Sequence, residues 1–334
     1  MSAPQHRARL TFDVTALDGS ARPERGPVAI LPVGDDELTQ ELVSAVEDAG
    51  AAVEPLSERT RGLVFLEYGR VHELAGLLDA HPRIGWVQLP FAGIDVFADA
   101  LRPAAERGVL FTSARGAYAE PVAEHALMLT LALLREAPMR VRATSWGPKA
   151  GRSLYGADVV VIGAGGIAAS YLDLVRPFRV RTTVVRRSAA DVPGADRTLP
   201  SDRLDEALET ADVVMIAAAA TEETRGLLGR ERFARLPRGA VLVNVARGSL
   251  VDADALVDAV REGRLGGAGL DVTDPEPLPE GHPLWTAGNV IVTPHSADTP
   301  DIVRPLLHGR IVRNVEAFVS TGRFVGIADP RRGY

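Results

Sequence analysis

Short apolar runs alternate along this chain with stretches in which apolar residues recur every three or four positions. The runs are rich in Val, Ile and Leu, which predicts strands buried on both faces of a parallel sheet. The intervening stretches predict amphipathic helices, such as Asp36 to Ala49, which Gly50 ends. Regular alternation of strand and helix is typical of open α/β domains.

The alternation falls into two blocks. A lead-in over residues 1 to 26, with an edge strand at Arg9 to Val14, precedes the first block, which we expect to end near Ala117. The second block starts at Ala157, and its six predicted strands are the number of a complete doubly wound sheet. The strands of the first block are Val28 to Leu31, Leu63 to Leu66, Ile84 to Leu89 and Val109 to Phe111; those of the second are Val159 to Ile162, Arg181 to Val185, Asp212 to Ala217, Ala240 to Val245, Gly267 to Val272 and Asn289 to Thr293.

Further helices are predicted inside, between and after the blocks. One runs from Pro121 to about Arg135 and is apolar nearly all round, which predicts a helix buried between two domains. Pro138 is expected to end it. The others are Ile167 to Val175, Asp202 to Thr210, Arg230 to Ala234, Asp252 to Glu262 and one within Pro300 to Ser320.

A glycine-rich turn follows the first strand of the second block. Gly163, Gly165 and Ala168 fit the pattern G-x-G-x-x-G/A at a strand-to-helix junction. In that pattern the first glycine makes a tight turn and the second lets a pyrophosphate approach the backbone, at a helix N-terminus that favours anions. A glycine-rich turn without a ligand fits the same residues, so the motif alone is a weak signal.

The end of the next strand bears on which dinucleotide would bind. About 20 residues beyond the glycines an acidic side chain would bind the ribose 2′-hydroxyl of NAD(H). This chain has Arg186, Arg187 and Ser188 there, which suits a 2′-phosphate. We therefore expect NADP(H) to be preferred. NAD(H) is the open alternative, because paired arginines are also common at a solvated strand end.

Composition narrows the class of protein. A chain of 334 residues is longer than one hydrophobic core usually serves, and its net charge of −7 argues against a nucleic-acid or anionic-membrane surface. Without cysteine it has no disulfide or thiolate metal site, and no spacing suggests another metal site. Met1 to Pro27 has no signal-peptide core, and the longest apolar stretch, Ala126 to Leu134, is too short to span a bilayer. A cytoplasmic enzyme or binding protein is expected.

Three residues of the second block follow predicted strands. Arg247 lies in Ala-Arg-Gly, Glu276 in the segment Asp271 to Pro277, and His295 in Thr-Pro-His. In an open α/β sheet, ligands bind outside the carboxyl ends of the strands. We therefore expect these side chains to converge near a bound nicotinamide. Each of the three residues alone is equally well explained as a surface or loop residue. Their occurrence together, in this order and after a dinucleotide turn, is not explained in that way.

These segments resemble the D-isomer-specific 2-hydroxyacid dehydrogenase family, which includes glyoxylate/hydroxypyruvate reductases and phosphoglycerate dehydrogenases. The resemblance runs from roughly Gly62 to Phe318 and includes Ala92 to Asp95, Pro121 to His125 and His282 to Trp285. It implies an α/β protein with two doubly wound parallel-sheet domains. These are a flavodoxin-like substrate domain, residues 1–117 plus 300–334, and a Rossmann cofactor domain, residues 118–299. An active-site cleft between them and a homodimer formed through the cofactor domain are also implied.

The chemistry of a 2-keto acid reduction suits the three residues. A guanidinium binds a carboxylate with two hydrogen bonds, so Arg247 would hold the substrate and polarise its keto oxygen. Imidazole titrates near neutral pH, so His295 would supply the proton, and Glu276 would stabilise the imidazolium. The resemblance assigns these same catalytic roles. It also implies that the backbone of Ala92 and Gly93 holds the substrate carboxylate. The substrate-binding residues expected are therefore Ala92, Gly93, Arg247 and His295.

Cofactor contacts are implied along the carboxyl edge of the second sheet. Two departures from the family pattern concern the cofactor: Gly166 replaces a common arginine, and Ala217 to Ala220 is a bare alanine run. Two others concern the substrate: Asp298 stands where glycine is usual after the catalytic histidine, and Phe91 places a bulky ring at the substrate loop. The cofactor-binding residues expected are Gly163, Gly165, Gly166, Ile167, Arg186, Arg187, Ser188, Ala218, Val245, Ala246, Arg247, Asp271 and His295.

Two other functions compete with a reductase. The C-terminal-binding corepressors share this fold and catalytic set, so a dinucleotide-sensing binding protein with little turnover is an alternative. Formate dehydrogenases are also similar, but they have glutamine where this chain has Glu276. The leading hypothesis is an oxidoreductase that transfers a hydride between NADP(H) and a small 2-keto acid or D-2-hydroxy acid.

Overall fold

Two units make up the chain, and the chain crosses between them twice. The computed structural model describes residues 6, 14–32, 34, 37–188 and 190–333. The first unit comprises Met1–Tyr118 and Pro300–Tyr334, and the second comprises Ala119–Thr299. Among the described residues, no helix has the length and apolarity needed to span a bilayer.

A five-stranded sheet forms the centre of the first unit. Its strands lie side by side in the order β14 (Ile327–Ala328), β5 (Leu110–Thr112), β4 (Trp86–Gln88), β3 (Gly62–Phe65) and β2 (Val28–Leu31). All four strands predicted for the first block form, since each is a buried apolar run that only a sheet interior can accommodate. The elements of this unit before the first crossing are β1 (Val14–Ala16), β2 (Val28–Leu31), α1 (Glu37–Asp48), β3 (Gly62–Phe65), α2 (Val71–Ala80), β4 (Trp86–Gln88), α3 (Ala98–Glu106) and β5 (Leu110–Thr112).

The outer edge of this sheet carries a short further partner. Val28 forms a parallel bridge with Val53, and its N–H donates to Ala52 O at 2.9 Å. Counting this segment as the second strand gives the flavodoxin order 2-1-3-4-5 for the parallel strands. Most of the predicted edge strand Arg9 to Val14 lies outside the described residues. Val14 begins β1, which pairs antiparallel with β13 (Arg323–Val325).

A seven-stranded parallel sheet, in the order β12-β11-β10-β9-β6-β7-β8, forms the second unit. Numbered from β6 along the chain, its strands lie in the order 3-2-1-4-5-6-7, a Rossmann sheet extended by one strand. The α/β fold class is thus confirmed. The elements of this unit are α4 (Ala119–Leu134), α5 (Ala137–Val141), β6 (Asp158–Ile162), α6 (Gly166–Val175), β7 (Arg181–Arg186), β8 (Arg197–Pro200), α7 (Leu204–Leu208), β9 (Val213–Ile216), α8 (Arg230–Arg235), β10 (Ala240–Asn244), α9 (Ala253–Arg261), β11 (Leu265–Leu270) and β12 (Val290–Val292).

Two predictions for the second unit were wrong. The sheet has seven strands rather than six, because β8 is a short edge strand in which only Leu199 is buried. Pro138 does not end α4: the chain turns at Glu136, in the left-handed region with φ of 53°, and Pro138 lies in the first turn of α5. Proline is tolerated there because N–H groups of a first turn have no intrahelical acceptor.

The long helix α4 is less buried than its composition predicts. It packs against α6, β10 and β11, and an added Cβ at Gly269 of β11 would lie 3.0 Å from Leu129. On the other side Leu127 is only half-buried, and Met128 is 44% exposed. The first unit is completed by α10 (Pro300–Glu316), β13 (Arg323–Val325) and β14 (Ile327–Ala328).

Candidate active site

The glycine-rich turn lies where the order of the second sheet reverses, between β6 and β9. Gly163 follows β6 directly, with φ of +109°, and its N–H donates to Val185 O at 2.8 Å. A Cβ at this position would stand 2.4 Å from Ala217 O. Both the backbone conformation and the space therefore require glycine, and open α/β sheets bind ligands at this switch point.

Gly165 has a different reason to be glycine. It precedes the ten-residue helix α6 without a side chain to cap the helix N-terminus. An added Cβ would meet nothing within 4 Å among the described residues, so packing within the chain does not exclude a side chain. The N–H groups of Gly166 and Ile167 open the helix at this point. An uncapped helix N-terminus beside open space fits the pyrophosphate of a dinucleotide.

The residues expected near the adenosine ribose follow the adjacent strand. Arg186 ends β7 and is half-buried, with Nη1 3.5 Å from Ala190 O, while Arg187 and Ser188 are exposed. Ala218 follows β9 and is half-buried. All four therefore lie at the same carboxyl edge as the glycine-rich turn.

Asn244 shapes the loop that carries Arg247. Its side chain is fully buried at the end of β10; Nδ2 donates to Arg247 O at 2.9 Å and Oδ1 accepts from Ala246 N at 3.0 Å. Gly248 permits close contact with the next loop, because a Cβ there would lie 1.9 Å from the carbonyl carbon of Thr273. Arg247 is half-buried, and its Nη1 donates to Ala246 O at 2.8 Å. Val245, which precedes this turn, is buried.

Asp271 holds the loop that carries His295. This carboxylate is 2% exposed. Its Oδ1 accepts from Thr293 Oγ1 at 2.6 Å and from Ser296 N at 2.9 Å, and Oδ2 accepts from Ala297 N at 3.2 Å. His295 has φ of +50°, an uncommon conformation for a residue with a side chain. The bonds from Thr293, Ser296 and Ala297 to Asp271 hold residues on both sides of His295 and so fix that conformation. The expected contact of Asp271 with the nicotinamide stays a prediction.

His125 of α4 completes this arrangement. Its Nε2 lies 3.0 Å from Thr293 Oγ1 and 3.4 Å from Asp271 Oδ1. Since the single hydroxyl proton of Thr293 points to Asp271, His125 Nε2 is the donor to Thr293. His125 therefore lies behind the loop that carries His295 and bonds to it through Thr293.

Glu276 and His295 form a pair at the carboxyl edge of the sheet. His295 Nδ1 lies 2.7 Å from Glu276 Oε1, and the two side chains are 43% and 42% exposed. Thr273 N donates to the other carboxylate oxygen at 3.4 Å. With Nδ1 engaged by a carboxylate, Nε2 is the ring nitrogen that can exchange a proton with a ligand. Within the described part of the chain, no three His, Asp or Glu side chains are grouped to hold a metal ion.

A further carboxyl, Asp298, belongs to the same region. It is half-buried, and burial raises the pKa of Asp298, while the positive charges of His295 and Arg247 oppose that rise.

Burial of Asp298 should make the effect of its removal depend on pH. The folded state holds this carboxyl with a raised pKa, so its contribution to stability is full below the unfolded pKa and falls as pH rises through the folded pKa. Asp298→Asn should therefore gain unfolding free energy relative to the wild type between pH 4 and pH 7. Urea unfolding at about pH 4 and about pH 7 measures this difference. Asp191→Asn, at an exposed loop position, is the control; a difference for Asp298→Asn that stays constant or shrinks with rising pH contradicts the expectation.

The first unit carries the remaining predicted residues. Ala92 and Gly93 follow β4; Ala92 is exposed and Gly93 half-exposed. The ring of Phe91, which was expected to crowd the substrate, packs on Phe97 with centroids 4.9 Å apart and against the apolar core of this unit.

Several residues that build the site were missed by sequence reasoning. Asn244 stands three positions before Arg247 and Gly248 directly after it, so their closeness to Arg247 in the sequence was the available signal. Thr293 was quoted only as part of a motif. Its role depends on His125, 168 positions earlier, and no local pattern indicates that contact.

A family model, several known proteins and several solved structures are similar to this chain. A family model described as D-isomer specific 2-hydroxyacid dehydrogenase, NAD binding domain, matches residues 125–297. An uncharacterized protein in the proB 3′ region of Corynebacterium melassecola is 37% identical over 77% of this chain and 86% of its own. A glyoxylate reductase from Korarchaeum cryptofilum is 30% identical over 83% and 82%. The structure of a D-isomer specific 2-hydroxyacid dehydrogenase from Xanthobacter autotrophicus Py2, in complex with NADPH and MES, covers 93% of this chain and 100% of its own with TM-score 0.77 and 28% identity.

Proposed function

The chain belongs to the D-isomer specific 2-hydroxyacid dehydrogenase family and is an NAD(P)-dependent oxidoreductase of 2-hydroxy acids. On this basis we propose that it reduces a small 2-keto acid with NADPH. The family predicted from the sequence is confirmed. The observation that carries the proposal is the pair formed by His295 and Glu276, 2.7 Å apart, in the unit that also contains the dinucleotide turn.

The pair would manage the proton of the reaction. When bound, the nicotinamide supplies the hydride. His295 would donate the proton from Nε2 to the keto oxygen, while Glu276 holds Nδ1 and balances the positive charge. The loop around Asp271 would keep the imidazole ring of His295 in place while the hydride and the proton are transferred. In the oxidation direction the same nitrogen would accept the proton.

Two groups would bind the substrate carboxylate. Arg247 offers a planar guanidinium, which suits a carboxylate bidentately and would also polarise the keto oxygen. The backbone N–H groups of Ala92 and Gly93 are proposed to bind the same carboxylate from the first unit. A small substrate is supported by the 30% identical relative named as a glyoxylate reductase.

The proposed preference for NADPH rests on the end of β7. Arg186, Arg187 and Ser188 offer two positive charges and a hydroxyl to a 2′-phosphate, and no carboxylate stands at these three positions to repel it. The 28% identical structure from Xanthobacter autotrophicus was determined with NADPH. NAD(H) is the alternative that the experiment below tests.

Replacing both arginines should reverse the cofactor preference. Arg186→Asp with Arg187→Ala should raise the KM for NADPH by roughly ten- to a hundredfold, because a charge-assisted hydrogen bond contributes about 1.5–3 kcal/mol. The KM for NADH should fall or stay constant. Steady-state rates with both cofactors measure this, with Arg197→Ala of β8 as an exposed arginine control. Unchanged KM values for both cofactors refute the assignment.

The two motif glycines should respond differently to alanine. Gly163→Ala should lower the melting temperature, because the new Cβ would be 2.4 Å from Ala217 O at φ of +109°. Gly165→Ala should leave the melting temperature near that of the wild type, because its Cβ meets open space, yet weaken NADPH binding at least tenfold by blocking the pyrophosphate. Calorimetric melting and fluorescence titration measure both. Tight NADPH binding by Gly165→Ala contradicts a pyrophosphate at this turn.

An assay of substrates tests the function itself. Purified protein with NADPH should consume it in the presence of glyoxylate, hydroxypyruvate, pyruvate or a larger 2-keto acid. No consumption with any of these acids, despite tight NADPH binding, would instead favour the dinucleotide-sensing alternative of corepressor type.

Large apolar side chains are exposed on the second unit. We propose a homodimer formed through the second unit, which exposes 97% of Trp146 and 83% of Val141 and so leaves large apolar groups for a partner to cover. The cytoplasmic location remains a prediction from the sequence.

A further inference from the structure

The loop after β4 has each of its first four backbone carbonyls held by a donor from the first unit. The acceptors are consecutive, from Leu89 to Ala92, and three of the donors belong to the segment that follows β5. Gln88 Nε2 donates to Leu89 O at 2.8 Å, Tyr118 Oη to Pro90 O at 2.6 Å, Ala114 N to Phe91 O at 2.9 Å and Ser113 Oγ to Ala92 O at 3.2 Å.

Fixing the carbonyls also fixes the N–H groups, since each peptide unit is planar. The N–H groups of Ala92 and Gly93 donate to no acceptor in the part of the chain that the structure describes. Ala92 is exposed and Gly93 half-exposed, so both are accessible to a ligand. Two successive N–H groups that point to the same side can bind one anion.

The donors are themselves held firmly. Tyr118 is 4% exposed and Ser113 fully buried. The fully buried guanidinium of Arg310, on α10, donates from Nη1 to the carbonyls of Ser113 and Arg115, at 2.8 Å each. A buried hydroxyl that lost its acceptor would cost free energy, so each hydroxyl is committed to the loop.

We propose that Tyr118 and Ser113 are positioning residues for the substrate carboxylate. Ser113 holds the carbonyl of Ala92 and so directs the N–H of Gly93, which belongs to the same peptide unit. Tyr118 holds the carbonyl of Pro90 and so fixes the peptide unit that leads to Phe91 and, through it, the direction of the chain at Ala92. The inference rests on the proposed function, because it assigns a purpose to the loop that would bind the 2-keto acid. The carboxylate does not change charge during reduction, so its contacts act equally on substrate and transition state. Their loss should therefore raise KM more than it lowers kcat.

Tyr118→Phe removes only the hydroxyl and tests the inference. The variant should show a KM for glyoxylate raised about threefold to tenfold, as expected for one lost hydrogen bond. Its kcat and its dissociation constant for NADPH should stay within about twofold of the wild type. Ser113→Ala should shift KM in the same direction, and it carries the test if Tyr118→Phe does not fold.

Tyr171→Phe is the matched control. Tyr171 is also fully buried and also bonds through its hydroxyl, to Thr130 Oγ1 at 2.8 Å, but it lies in the second unit. Tyr171→Phe should lose about as much thermal stability as Tyr118→Phe, and its KM for glyoxylate should stay at the wild-type value. The inference is overturned if Tyr118→Phe leaves KM unchanged, or if Tyr171→Phe raises KM by the same factor. In either case, turnover by the wild type still supports the proposed function. Wild-type protein that reduces no 2-keto acid overturns both.

Discussion

His295→Asn should lower kcat for reduction of a 2-keto acid by about 10²–10⁴-fold, the usual contribution of a positioned general acid. Asparagine suits the site because it tolerates the positive φ of 50° at this position. Its amide nitrogen can also replace Nδ1 as donor to Glu276, which lies 2.7 Å away in the wild type. What the variant lacks is Nε2, the proton donor. Its affinity for NADPH should change by less than about tenfold, which fluorescence titration measures.

A matched control exists in the same unit. His282 accepts a hydrogen bond from Leu284 N at 3.2 Å and caps a short turn. His282→Asn should preserve that cap and retain the wild-type kcat. If His295→Asn kept more than about a tenth of wild-type kcat, the assignment of His295 as the acid would fail.

Arg247→Gln should lower kcat/KM by a similar factor. Two charge-assisted hydrogen bonds to the substrate carboxylate, at about 1.5–3 kcal/mol each, correspond to about 10²–10⁴-fold. Arg247→Lys should recover only part of the loss, because an ammonium cannot form the planar bidentate pair. The loop should keep its shape in both variants, since Asn244 bonds to the backbone of Arg247 and Ala246 rather than to the guanidinium.

Arg232→Gln is the control for this loss. Arg232 is also a partly buried arginine of the second unit, and it bonds to Asp205 and to Leu227 O. It should change stability and leave kcat/KM at the wild-type value. A decrease of less than tenfold for Arg247→Gln, or one fully explained by weaker NADPH binding, would contradict the carboxylate role.

Most of the strands could be predicted from the sequence because parallel strands are buried on both faces. A continuous apolar run such as Val28–Leu31 therefore has few other places in a folded chain. The same physics explains why two extended segments were missed. Arg197–Pro200 buries a single side chain, and the segment around Val53 contributes one bridge, so neither leaves an apolar run to detect.

The site was predictable to the extent that strand ends locate it. Arg247, Glu276 and His295 follow strands of one parallel sheet, and that rule needs no knowledge of side-chain contacts. The residues that orient them were not predictable, because their contacts join distant segments. Asp271 reaches 25 and 26 positions along the chain to Ser296 and Ala297.

A single turnover tests the central claim most directly. Wild-type protein in excess over NADPH, mixed with glyoxylate, should oxidise the NADPH completely and form one glycolate for each NADPH consumed. His295→Asn, under the same conditions, should bind the NADPH and oxidise it at least about a hundredfold more slowly. NADPH that binds to the wild type and is not oxidised by any 2-keto acid, or equal rates in the two proteins, would contradict a reductase that uses His295 as its acid.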